Sequence, residues 1–164
     1  STDTGGFRYS STTPRTFEIA AQLVSFGVDP WEVAAAIYES QPVERLKLLS
    51  RVLDTLRLSE DGRLAFLRVE QAMLRATGAN SEMIDGFINY ARSVRGVEVA
   101  TQLKQLDVDQ WSVSFRSRGL VDVSQLAAKF GGGGHHNAAG CQMLGAPEAL
   151  EKQLCDALLE ILDA

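Results

Sequence analysis

Four glycines in a row followed by two histidines, Gly131-Gly132-Gly133-Gly134-His135-His136, lead into Asn137-Ala138-Ala139-Gly140. One or two glycines suffice for the positive φ of a turn, and each adds to the backbone entropy lost on folding. Four together point to a second requirement. Without Cβ atoms the main chain can lie close to a ligand, and successive amides can form a concave donor nest that suits phosphate. The amides of Gly132, Gly133 and Gly134, with His135 at their edge as a donor that can carry charge, are therefore candidates for an anion site. A second set lies upstream. If Trp111, Val113 and Phe115 face a core, strand alternation puts Ser112, Ser114, Arg116 and Arg118 on the opposite face. A guanidinium offers phosphate a planar fork, so this face reads as a phosphate clamp, with a solvated strand face as the alternative.

Other motifs fail on detail. A P-loop needs Lys and then Ser or Thr after its glycines and a helix starting there, whereas His135 and His136 stand at those positions and the evident helix precedes the run. A dinucleotide fingerprint follows a strand and opens a long helix, the reverse order. Adjacent histidines on an extended backbone point to opposite sides, so one metal ion using both is strained. A flexible glycine hairpin with exposed histidines stays open as the plain reading.

The elements that must position these residues are legible upstream and downstream. Thr13-Pro14 and Asp29-Pro30 each place a capping side chain before a proline at the first helical position, which predicts helices over 14–26 and from 30 to about 39. A third helix is expected over 43–57, with Leu46, Leu49, Val52, Leu53 and Leu56 as its apolar stripe, before the turn chemistry of Ser59-Glu60-Asp61-Gly62. From Arg63 the pattern changes. A strand with Leu64, Phe66 and Val69, a helix near 81–94, and two strands carrying Val97 to Leu103 and Trp111 to Phe115 are expected in turn. A short helix capped by Asp122 or Ser124 then ends near Phe130, a short strand follows around 142–144, and Pro147 opens a last helix with Leu150, Leu154, Leu158 and Leu162. The fold class is α/β, a helical N-terminal segment followed by a mixed β-sheet domain flanked by helices.

The chain has 164 residues, 45% apolar, with 23% charged residues, enough for one good core or two small ones sharing an interface. Its apolar stretches are shorter than the roughly 20 residues of a membrane-spanning helix, so no membrane partner is expected. Cys141 and Cys155 are the only cysteines, without CxxC spacing or disulfide density, and a cytoplasmic location is the simplest expectation. A net charge of −5 argues against coating long nucleic acid, and leaves room for a local basic site that suits a nucleotide or a very short oligonucleotide.

The glycine run with Ala138-Ala139-Gly140, the stretch Ser114-Phe115-Arg116-Ser117-Arg118-Gly119 and the segment Val121-Asp122-Val123-Ser124 resemble the DHH-associated domain of DHH-family phosphoesterases. The resemblance implies a substrate-binding domain whose glycine-histidine motif faces a two-metal centre in a separate DHH domain across a cleft. It adds Ser117 to Arg116, His135 and the glycine amides as a substrate-binding residue. Residues 2–13 resemble the last motif of the DHH domain, which implies that Asp3 is a manganese ligand and, more weakly, that Arg8 meets a substrate phosphate. Residues 1–57 are then the end of the DHH domain plus a connecting helix, and 58–164 the DHH-associated domain. No Asp-His-His triplet occurs, and one aspartate cannot assemble a bimetallic centre. The chain is therefore expected to be the C-terminal part of a Mn2+-dependent hydrolase and inactive by itself. Short RNA fragments, linear dinucleotides and 3′-phosphoadenosine 5′-phosphate are the implied substrates, unranked by the sequence, and a homodimer of the intact protein is compatible with the resemblance. Two alternatives stand beside it: a nucleic-acid-binding module of a tRNA-editing type protein without phosphoesterase chemistry, and an interaction protein whose glycine loop merely turns the chain.

Overall fold

The structure, a computed structural model, describes residues 5–7 and 11–163. The chain divides into two compact units, Ser1–Gln41 and Pro42–Ala164. The first holds α1 (Pro14–Ser25) and α2 (Pro30–Tyr38), which start at the two prolines as the capping signals require. The Asp29 carboxylate accepts from the Trp31 amide at 2.7 Å, and the Phe7 and Phe17 rings stack with centroids 5.1 Å apart.

The second unit runs α3 (Val43–Leu53), β1 (Arg57–Leu58), β2 (Leu64–Val69), α4 (Gln71–Thr77), a 3-10 turn (Ser81–Ile84), α5 (Ile88–Ser93), β3 (Val99–Asp107), β4 (Gln110–Ser117), α6 (Val123–Lys129), β5 (Gly133–His135), β6 (Ala138–Leu144) and α7 (Pro147–Leu162). Among the described residues the strands form one mixed sheet in the order β1-β2-β3-β4-β6-β5, with β2 and β3 parallel and the other pairs antiparallel. No described helix is long and apolar enough to cross a membrane.

Three expectations about elements are corrected. The third helix stops at Leu53, because residues 57–58 pair with β2. The helix expected near 81–94 is broken in two at Gly86, which sits at φ +80°. The strand expected around 142–144 begins at Ala138, held from both sides by β4 and β5. Helix α4, which ends at the left-handed Gly78, has no counterpart in the sequence reading.

Coverage of the sheet is unequal, and that decides where a ligand can bind. Strand β2 is buried throughout. Leu64 and Phe66 enter a core beneath α6 and α7, while Ala65, Leu67 and Val69 enter a second core beneath α3 and α5. Strand β4 alternates instead: Trp111, Val113, Phe115 and Ser117 are buried, and Ser112, Ser114 and Arg116 are half-buried. A strand covered on both faces reads as a continuous apolar run, and one covered on a single face alternates. Beyond β3, therefore, the face shared with α3 and α5 is left open. Arg68 ties β2 to α7 through a buried ion pair with Glu151, its Nη2 donating to Oε2 at 2.9 Å.

Candidate functional site

The open half of the sheet carries two polar rows, read directly from the register. Gln102 pairs with Ser114, Ser114 with Gly140, and Gly140 with Gly133. Ala100 pairs with Arg116, Arg116 with Ala138, and Ala138 with His135. Residues directly opposite across antiparallel strands share a face. Arg116 and His135 thus project from the same side, two strand spacings apart, about 9–10 Å between their Cα atoms. Only the methyl group of Ala138 lies between them, and Gly140 and Gly133 leave the next row bare. The result is a shallow floor of small residues with a cation at each side. Arg116 donates one Nη1 hydrogen bond to the Phe115 carbonyl at 2.9 Å and makes no ion pair among the described residues, so most of its donors remain for a ligand.

The four glycines divide between fold and site. Gly131, at φ +72°, ends α6: its amide donates to the Ala128 carbonyl at 3.1 Å and the Gly132 amide to the Ala127 carbonyl at 2.8 Å. This is the paired closure that left-handed glycine gives a helix C-terminus. It corrects the expectation that the Gly132 amide is free for phosphate. A Cβ on Gly132 would stand 2.1 Å from the Gly140 carbonyl oxygen, and one on Gly134 would stand 2.5 Å from the Ala138 carbonyl oxygen. Both glycines are demanded by the close approach of β5 to β6. Gly131 and Gly133 both have open space where a side chain would be, and of the two only Gly133 is free of a positive φ.

The neighbouring polar residues also sort themselves. His135 is exposed on the edge strand. His136 anchors a loop instead, with Nε2 3.0 Å from the Gly119 carbonyl oxygen and its own carbonyl accepting from the Val123 amide at 2.9 Å. Ser117 is only 2% exposed and faces the core, where its hydroxyl bonds the Asn137 Oδ1 at 3.0 Å. It supports the turn that follows His135 and is not brought to the open face. Arg118 lies past the end of β4 and donates to the Arg92 and Val94 carbonyls, closing the end of α5. Asp3 and Arg8 lie outside the described residues.

Two depressions flank Ser112 and Ser114. One, of about 500 Å³, is bounded by Gly131, Gly132, Gly140, Cys141 and Gln142. Burial pushes the Cys141 thiol up to about 11, so it stays protonated at neutral pH and is no nucleophile. The other, of about 230 Å³, lies between Ser81–Ile84 and the two central strands, with Gln102, Lys104 and Arg116 in its wall. Gln102 was not foreseen as a site residue. The signal was present in the alternation of Gln102 and Lys104 against Thr101 and Leu103, which puts it on the same face as Ser114. Among the described residues no three His, Cys, Asp or Glu side chains group to hold a metal ion.

The DHHA1 domain family matches residues 62–164. The bifunctional oligoribonuclease and PAP phosphatase NrnA of Thermus thermophilus is 35% identical over 144 residues, 88% of this chain and 42% of the relative. The protein of the same name from Bacillus subtilis is 29% identical over 147 residues, 90% and 46% of the two chains. Among solved structures, an exopolyphosphatase-related protein from Bacteroides fragilis superposes with a TM-score of 0.88 at 29% identity, covering 97% of this chain and 47% of that one. The chain thus spans less than half the length of each of these relatives.

Proposed function

Because the chain belongs to the DHH-family phosphoesterases and carries their DHHA1 domain, we propose that its open sheet face grips the phosphate of a short nucleotide substrate for hydrolysis by the whole enzyme. The observation that carries this reading is the row Arg116–Ala138–His135, two donors of positive or chargeable type facing one side across a floor without bulky side chains. A phosphate seated there accepts from the guanidinium fork, from the imidazole and from the main chain at Gly133, the one glycine of the run with open space and no positive φ. The relatives' names supply the substrate class: oligoribonucleotides and PAP, the phosphoadenosine phosphate. We also propose a cytoplasmic location, the simplest one for a chain whose two cysteines have neither CxxC spacing nor disulfide density.

Manganese belongs to the proposal for the whole enzyme. A metal pair would activate water and neutralise charge on the scissile phosphate. The role we assign to residues 42–163 is to bind and orient the substrate. The experiment is a comparison in manganese. A full-length enzyme containing this sequence should release mononucleotide from a 5′-phosphorylated dinucleotide, and His135→Ala in it should raise KM at least about tenfold, the loss of one charge-assisted contact. The 164-residue chain alone should bind a nucleoside monophosphate and turn over neither the dinucleotide nor PAP. Turnover by the chain alone, or an unchanged KM in His135→Ala, refutes this assignment.

A further inference from the structure

The smaller of the two depressions has an acceptor with nothing to accept. Gln102 is 8% exposed, and its Oε1 is sealed from solvent with no hydrogen-bond partner. Buried side-chain polar atoms are nearly always paired, and a glutamine amide offers both two donors and an acceptor. Turning the amide over about its terminal torsion exchanges Oε1 with Nε2 and brings the oxygen to the depression that Gln102 lines. The surroundings say what belongs there. Glu82 and Asp85 at the rim oppose Lys104 and Arg116, so the formal charges balance, and a second phosphate gains nothing beside two carboxylates. Ile84 and Ile88 give the wall an apolar patch. At about 230 Å³ this depression is less than half the size of the other, about 500 Å³, and suits one heterocycle rather than a dinucleotide.

We propose that this depression takes the base of the bound nucleotide, and that Gln102 selects a base presenting an exocyclic amine beside a ring-nitrogen acceptor, as adenine does with N6 and N7. The proposal rests on the reading that Arg116 holds the phosphate. Gln102 faces Ser114 across the β3–β4 ladder, which makes Arg116 its diagonal neighbour at about 7–8 Å. One nucleotide can therefore touch both. The Ser112 and Ser114 hydroxyls lie along the same strand face to meet the sugar. An amide pairs in bidentate fashion with adenine N6 and N7, its oxygen accepting from the amine, while guanine O6 and uracil O4 present a second acceptor where Oε1 needs a donor.

The probes are 5′-AMP, 5′-IMP and ribose 5-phosphate, titrated calorimetrically into the 164-residue chain. AMP and IMP differ at the amine, and the sugar phosphate lacks the base. The chain should prefer AMP over IMP by at least about fivefold, the discrimination of one bidentate pair. Gln102→Leu should erase that preference and leave ribose 5-phosphate affinity unchanged. Gln102→Glu keeps the acceptor for the amine and loses the donor for N7, so it should retain only part of the preference, and it serves if the leucine variant fails to fold. Equal affinity for AMP and IMP in the parent, or a preference that survives in Gln102→Leu, overturns the proposal. Arg116→Ala separates it from the reading beneath. All three ligands should weaken together in that variant, and if none does, or if the parent binds none of them, it is the phosphate site itself that fails.

Discussion

Arg116 on β4 and His135 on β5 stand in one cross-strand row, separated by Ala138 alone. The two strands are not neighbours, since β6 lies between them, so the site is made by β6 pairing with a central strand on one side and the edge strand on the other. Arg116 contributes little to the fold, its one hydrogen bond among the described residues reaching the carbonyl of the preceding residue. Arg116→Ala should weaken nucleotide binding by about 1.5–3 kcal/mol, the worth of a hydrogen bond to a charged group. Arg116→Lys should recover only part of this, because an ammonium lacks the planar fork. Melting temperature should stay with the parent in both. Calorimetric titration and thermal unfolding check the pair, and an Arg116→Ala protein that unfolds, or that binds as the parent does, removes the clamp.

The two adjacent histidines should separate in opposite ways. His136→Ala removes the contact with the Gly119 carbonyl and should lower stability by about 0.5–1 kcal/mol while leaving nucleotide affinity within about twofold. His135→Ala, on the exposed edge, should leave stability alone and lower affinity by about 1.5–3 kcal/mol. Equal losses of affinity from the two substitutions return the run to a glycine turn with incidental histidines.

Asp122 links this loop to α6. Its carboxylate accepts from the Ser124 hydroxyl at 2.5 Å and the Ser124 amide at 2.9 Å. The Ser124 hydroxyl, more than any other neighbour, holds the carboxyl below the usual aspartate range. A folded-state value below the unfolded one gives stability that is present above the unfolded value, about 4, and lost as pH falls through the folded value. The gap in melting temperature between the parent and Asp122→Ala should therefore be full at pH 6 and narrow from about pH 4 downward. A gap that is constant across that range shows that the charge on Asp122 is not what the cap uses.

Much of this arrangement was written locally. The two helix starts at Pro14 and Pro30, the single-sided alternation of β4 and the cap at Asp122 each follow from a few adjacent residues, and each formed as expected. What failed depended on neighbours distant in sequence. Arg118 continues the outward alternation only if β4 continues, and β4 ends at Ser117 because Arg118 finds the carbonyls of α5. Ser117 was carried to the site by resemblance, although the alternation that turns Arg116 outward turns its neighbour inward. The glycines were misassigned for the same reason. The closure of α6 by Gly131 and Gly132 is local, but that Gly132 is pressed on Cys141 depends on β6, and no local pattern announces it.

The glycine run itself offers the sharpest separation of fold from ligand. At Gly132 an added methyl meets the Gly140 carbonyl oxygen at 2.1 Å and the Cys141 Cβ at 2.6 Å, both fixed parts of the sheet. Gly132→Ala should lower stability by about 1–3 kcal/mol, the usual penalty of overpacking. At Gly133 the methyl meets nothing within 4 Å, and replacing a strand glycine removes unfolded-state freedom. Gly133→Ala should thus hold or raise stability, by up to about 1 kcal/mol. On the open face that same methyl occupies the space where phosphate approaches the main chain, so affinity for a nucleoside monophosphate should fall at least about tenfold, a loss near 1.4 kcal/mol. The measurement is denaturant unfolding and calorimetric titration on both variants. A Gly133→Ala protein that is stable and binds as the parent does shows that the ligand never reaches the glycine backbone, and leaves Arg116 and His135 to hold it by side chains alone.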